Sequence, residues 1–307
     1  MNEITRILTG LVMAGALMLP CHRSAADIMP VALGSAGAFA VLGGANVSST
    51  GFTIVNGNLG SGPGGATAGF PPGTVSGTMF AGGPVAAQAE ADLETAYNNA
   101  AGRPSVVGNV AGDISGQTLA PGIYNSSSSL AIAAGDLTLD AQNDPNAVWI
   151  FQIASTLTTG ANSRVILTNG ATAANVFWQV GSSATLDTAT SFQGTIMAQA
   201  SITLQTDTML AGRALALTGS VTLDANTINN PSLIPPAPSF GPIQRAANGM
   251  VTLLITNTVG ATLTLQTSSN LTSWTTIATL TPEVTPDTFT DTTTSADTNR
   301  FYRAFYP

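Results

Sequence analysis

No lysine occurs among the 307 residues: all eight basic residues are arginines, set against 16 acidic residues, one histidine (His22) and one cysteine (Cys21). Charged residues make up 8% of the chain and aromatics 6%. A formal charge of -8 repels a phosphate backbone, which argues against nucleic acid as a partner. One cysteine cannot form a disulfide within the chain, so folding rests on packing and hydrogen bonds. Cys21 and His22 both lie within the first 26 residues, and a mature chain that has lost them holds no zinc cluster, no Ser-His-Asp or Cys-His arrangement and no histidine base. Only carboxylate chemistry, as in glycoside hydrolysis, stays open. No apolar run is long enough to span a bilayer.

What is present begins with a targeting signal. Arg6, the apolar run Ile7 to Leu19 and the small residues Ser24-Ala25-Ala26 read as a signal peptide over 1–26. The rival is a lipid anchor at Cys21, which Pro20 disfavours. Cleavage after Ala26 removes both Cys21 and His22. Composition then divides the chain. Residues 27–230 are rich in Gly, Ala, Thr, Asn and Leu. Residues 231–248 carry Pro231, Pro235, Pro236, Pro238 and Pro242, a stiff linker. Residues 249–307 hold 18 threonines and end in Phe301, Tyr302, Phe305 and Tyr306.

The pair Thr-Leu recurs at 138, 156, 185, 203 and 222, at spacings of 18, 29, 18 and 19 residues. Around each pair apolar and polar residues alternate, which is strand periodicity. A coil of about 18 residues with two or three short strands predicts a β-solenoid, with coils stacked ~4.8 Å apart. A β-sandwich explains the short strands but not the coil length. One helix is expected over about 84–101, with Pro84 in its first turn and Gly102 just past its end. Ala86, Ala89, Leu93, Ala96, Tyr97 and Ala100 form its apolar stripe, suited to lying against a flat wall.

Several segments together are similar to the family of secreted microbial ice-binding proteins. They are Leu33 to Ala36, Phe39 to Leu42, Phe70-Pro71-Pro72-Gly73, Ala87 to Leu93 with Ala96-Tyr97, Leu119 to Tyr124, Leu137 to Asp140, Trp149 to Ile153, and Val176 to Gly181. The resemblance runs from about Val31 to Ile228. It implies a mainly β fold: an irregular, three-faced, right-handed β-solenoid with one long helix alongside, whose spatial order differs from chain order, with residues 52–80 capping one end. It implies a non-enzymatic protein that takes no cofactor or metal and binds an ice surface, limiting crystal growth or aiding attachment.

Ice offers neither charge nor pocket, so it calls for a flat, rigid array. Threonine suits such an array through its restricted rotamer, its methyl group and its hydroxyl. The family's ice-contacting pattern, Thr-(Ala or Gly)-any-(Thr or Asn), is matched by Thr159-Gly160-Ala161-Asn162. It is partly matched at Thr188 to Ser191, Thr206 to Met209 and Thr218 to Val221. The resemblance therefore nominates Thr159, Asn162, Thr188, Thr190, Thr206, Thr208, Thr218 and Ser220 as one ice-binding face. A competing face consists of Thr138, Thr156, Thr185, Thr203 and Thr222. Asp207 and Met209 speak against the first choice.

Asp136, Asp140 and Asp144 lack calcium-loop spacing, and Asp144-Pro145-Asn146 reads as a turn. Ser126 to Ser129 reads as a coil corner. Trp149 and Trp178 are core or face-edge residues, with carbohydrate stacking as the alternative. In the tail, Ser268 to Trp274, Phe289-Thr290-Asp291 and Arg300 to Arg303 resemble a small terminal module of planctomycete and verrucomicrobial secreted proteins. It is expected as an antiparallel β-sandwich-like domain able to attach the protein to a cell surface. The whole reads as a secreted, monomeric ice-binding protein. The alternative is an extracellular adhesin or carbohydrate-binding solenoid.

Overall fold

The computed structural model describes residues 28–232 except 106, and residues 238–305 except 247–249, 257–261, 283 and 293–299. The expected signal peptide, with Cys21 and His22, lies outside the described residues.

Between residues 39 and 229 the chain winds through short parallel strands on three faces. The strand Trp149–Ile153 shows why the first face is apolar on both sides. Trp149, Phe151 and Ile153 point into the coil, and Ile150 points outward to the helix. Such continuous apolar strands suit a doubly covered parallel sheet. Within the coils, Tyr124, Phe151, Trp178 and Phe192 stack on one another, and the Phe151 and Trp178 rings lie 3.9 Å apart.

Stacking order departs from chain order, as expected. Phe39–Gly43, Val47–Thr50 and Ile54–Asn56 pair with Met209–Ala216, Val221–Asp224 and Thr227–Asn229, so the first coil rests on the last. Residues 58–81 extend that end with strands of two to four residues. The expected cap is thus the terminal coils themselves. The opposite end starts at Gly108–Asn109 and Gly112–Asp113.

Helix α1, Gly83–Ala101, joins these two ends. Its 19 residues extend ~28 Å along the stack. The six stripe residues expected from the sequence are its buried residues. Ala89, Leu93, Ala96, Tyr97 and Ala100 pack in one cluster with Leu42, Leu215, Met197, Phe177, Ile150 and Ile123 on the outside of the first face. The Gln179 amide donates to the Tyr97 hydroxyl at 2.8 Å. Gln152 Nε2 donates to the carbonyls of Ala100 and Arg103, satisfying groups that a helix end leaves open.

The coil lengths have a simple cause. In the short coils, Ser191–Ala198 and Met209–Ala216 run through a corner unbroken. In the longer ones residues 141–148 and 169–175 interrupt the same path. Beyond residue 238 two antiparallel sheets enclose Val251, Leu253, Ile255, Leu263 and Leu265. Ser239–Phe240 and Gln244–Arg245 pair with Val251–Thr256, so two strands fall inside the expected linker.

Candidate functional site

The helix covers the first face, leaving two to meet solvent. On the second face eight strands stack in register. One outward row along it reads Ala68, Ser48, Thr222, Thr203, Thr185, Thr158, Ala131, Asp113. On either side of this row Leu157, Ala184, Leu186, Ile202, Leu204, Val221 and Leu223 point inward and are buried. The inward apolar residues fix the pleat, and the pleat turns the hydroxyls out. Neighbouring row members stand ~4.8 Å apart.

A second row lies one pleat away: Ser129, Thr156, Ser183, Ser201, Ser220 and Asn46, each just before an inward residue and bonded coil to coil through the backbone. Most of its polar side chains, Ser220 Oγ excepted, are bonded within the protein. Thr156 Oγ1 donates to Ser129 Oγ at 2.8 Å, while Ser183 and Ser201 Oγ accept the amides of Ser201 and Ser220 at 3.3 Å. By contrast, the hydroxyls of Ser48, Thr222, Thr203, Thr185 and Thr158 have no hydrogen-bond partner among the described residues. Those at Thr158, Thr222 and Ser48 are exposed, and those at Thr185 and Thr203 half-buried. These five hydroxyls are available to water, in a straight uncharged line.

The border of the face is equally regular. Asn162, Ala189, Asp207, Ala225 and Gly51 follow one another from coil to coil, each with φ between 51° and 68°. This left-handed position costs an alanine ~1 kcal/mol, and repeating it makes every coil turn at the same line. Beneath the arches Thr190, Thr208, Asn226 and Thr53 are buried. Thr190 Oγ1 lies 2.8 Å from Thr159 Oγ1, Thr208 Oγ1 donates to Asp187 O at 3.0 Å, and Asn226 Nδ2 donates to Gln205 O at 2.7 Å. Apart from Asp113 at the end of the row, the carboxylates of this face lie at this border. Asp224 accepts from Thr50 and Thr206 on the neighbouring coils, and those two bonds hold its pKa below the ordinary value.

This geometry corrects the expected single face for the eight nominated residues. Thr159, Thr190 and Thr208 are buried with their hydroxyls bonded internally, because they point inward at the corner. Asn162 and Thr188 are exposed on the arches, and Thr206 is half-buried there against Asp224. Thr218 lies at the opposite corner, its hydroxyl donated to Gln199 O at 2.6 Å. Only Ser220 stands on the ordered face, in its flanking row. Of the competing set, Thr185, Thr203 and Thr222 share the free row, Thr156 flanks it, and Thr138 belongs to the third face beside Thr118 and Ile166.

Thr158 and Ser48 were missed. An apolar residue followed by a hydroxyl residue, as in Leu157-Thr158, Ala184-Thr185, Ile202-Thr203, Val221-Thr222 and Val47-Ser48, is the signal that finds them. The third face is uneven by comparison. It carries the Arg164–Asp136 ion pair at 2.6 Å, Met209 at 55% exposure and Ile54 at 45%. Asp140 and Asp144 accept backbone amides of Gln142 and Asn146 in turns. Trp149 and Trp178 are fully buried and donate to Leu119 O and Gln193 O, which leaves neither free to stack on a sugar. No group of three metal-ligating side chains occurs among the described residues, and no helix there is long and apolar enough to cross a membrane.

Comparison with known proteins agrees with this architecture. The ice-binding protein of Nostoc sp. (strain HG1) is 50% identical over 202 residues, covering 64% of this chain and 73% of its own. A crystal structure of an ice-binding protein from an Antarctic biological consortium superposes with a TM-score of 0.65 at 49% identity, covering 66% of this chain and 91% of its own. That of the ice-binding protein from the Antarctic ascomycete Antarctomyces psychrotrophicus gives 0.63 at 39% identity, covering 66% and 99%. Residues 41–229, the whole three-faced stack and none of the C-terminal sheets, match the Ice-binding-like family, and the chain belongs to that non-enzymatic family.

Proposed function

We propose that the protein adsorbs to ice through the second face, with Thr158, Thr185, Thr203, Thr222 and Ser48 as the contact row and Thr156, Ser183, Ser201 and Ser220 as its flank. One observation carries the reading. On the in-register face, the row of Ser48, Thr158, Thr185, Thr203 and Thr222, three of them exposed and two half-buried, offers five hydroxyls that no described residue bonds. Rigidity before contact means that little ordering free energy is lost on adsorption. The relatives named as ice-binding proteins support the same ligand. Adsorption limits crystal growth and recrystallisation, or holds a cell to ice.

The secreted, monomeric state belongs to this proposal, as does the C-terminal module as an attachment domain of the planctomycete and verrucomicrobial kind. The test is to grow single ice crystals in the purified protein. Faceted crystals and a gap between melting and growth temperatures are expected. Rounded crystals growing without a gap would remove the proposal.

A further inference from the structure

The C-terminal sheet formed by Thr275–Leu280, Leu263–Ser268 and Phe301–Phe305 has one face in the module core, where Leu263, Leu265, Tyr302 and Ala304 pack. Its other face carries an ordered set of aromatic and polar groups. Phe301, Arg303 and Phe305 alternate along the edge strand, ~6.8 Å apart. Phe301 and Phe305 are each 38% exposed. The Arg303 guanidinium lies 4.4 Å over the Trp274 ring and 5.8 Å from the centre of Phe305. Arg303 Nε donates to Gln266 Oε1 at 2.8 Å, and Gln266 Nε2 donates to Thr276 Oγ1 at 3.0 Å. The guanidinium plane is therefore fixed, while its two terminal nitrogens have no partner among the described residues.

We infer that this face binds a polysaccharide bearing uronic acid residues, with sugar rings stacked on Phe301 and Phe305 and a uronate carboxylate paired with Arg303, which Trp274 holds in place. A pyranose ring offers an apolar C–H face to an aromatic ring and a polar rim to amides and hydroxyls such as Gln266 and Thr276. A carboxylate matches the free fork of a guanidinium with two parallel hydrogen bonds. The unpaired fork of Arg303 favours this occupant over a neutral sugar chain. Arg300, the neighbouring cation, is engaged by Asp291, which leaves Arg303 as the charge on this surface. A membrane surface calls for a cluster of basic residues, roughly four to eight, and one cation does not supply it. A protein partner needs about 20–30 residues a side, several times what this patch presents.

The test uses the full chain in isothermal titration and affinity electrophoresis with polygalacturonate, alginate and neutral dextran of matched size. Binding to the two uronates, weakened by salt, with no retardation by dextran, is expected. R303Q should lower uronate affinity at least tenfold with unchanged melting. Equal binding to dextran, no binding to either uronate, or wild-type affinity in a folded R303Q protein would each overturn the inference. Should R303Q fail to fold, F305L decides. It keeps Arg303 on Trp274 but removes a stacking surface, so weaker uronate binding supports the site and unchanged binding overturns it.

Discussion

Replacing Thr203 by tyrosine tests the contact row at its centre. Thr203 is flanked in register by Thr185 and Thr222. At ~4.8 Å between row members, a tyrosine ring rising from the middle position shields both neighbours as well as removing its own threonine. Three of the five free hydroxyls then lose direct contact with the ice lattice. At about 1 kcal/mol net for each hydroxyl engaged, the loss is ~3 kcal/mol. That corresponds to roughly a hundredfold weaker adsorption. The fold has little reason to respond. The site points to solvent, tyrosine is a good strand residue, and surface changes of this kind stay within about 0.5 kcal/mol. Thermal hysteresis and crystal shape are the assay, with circular dichroism and melting temperature as controls. T188Y, on an exposed arch outside the row, is the matched variant and should keep nearly full activity. A T203Y protein with wild-type hysteresis and unchanged melting would refute the reasoning, as would a T188Y protein that loses it.

Other expectations concern what holds the face level. T190V removes a buried hydroxyl that lies 2.8 Å from Thr159 Oγ1 and should cost about 1–2 kcal/mol. Melting should fall by several degrees, with hysteresis per folded molecule unchanged. W178A opens a cavity beside Phe151 and Phe192 and should cost about 3–5 kcal/mol, read as the loss of denaturant midpoint. Acid should destabilise the fold. Hydrogen bonds or Arg164 hold Asp92, Asp113, Asp136, Asp140 and Asp224 below the ordinary carboxylate pKa, so their stabilisation is complete above the unfolded value of about 3.9 and disappears as pH falls through the folded values. Glu90, raised by burial, works in the opposite sense. Melting should be flat from neutral pH to about 5 and drop below about 4, and constancy down to pH 2.5 would contradict these assignments.

The helix and the solenoid were legible because their signals are local. Val85 to Ala101 contains no glycine or proline, and its six stripe residues are those that the helix buries. The contact row was only partly legible, for a register reason. The Thr-Leu pair at 156–157 begins its strand, with Leu157 opposite Ala184, whereas at 185–186 the leucine ends the strand opposite Leu204. The same two letters therefore occupy positions two residues apart in the coil. The four-residue pattern failed similarly. Thr159 pairs with Ile132, an inward position, while Thr188 sits on an arch. A shift of one residue in a strand exchanges core for solvent, and no composition signal marks it.

The covalent path of the chain also explains why the second face is the regular one open to solvent. The first coils stack on the last, so the chain must return from Met79–Ala81 at one end to Gly108–Asn109 at the other. Nine strands stand along that wall, a span of ~38 Å, and α1 extends along ~28 Å of it. The return segment therefore takes up most of the first face, while Met79, Ala81, Gly108 and Asn109 at its two ends stay exposed. The third face receives the enlarged coils, whose interruptions at 141–148 and 169–175 fall beside it, together with the Arg164–Asp136 pair. On the second face every coil has a short strand of two to four residues, whether the coil is long or short, because the extra residues are inserted elsewhere. The row even crosses the junction between chain-distant coils, from Thr222 to Ser48, without a break in register. The regular register there follows from keeping length variation off one side of the coil, and the free hydroxyls lie on that side.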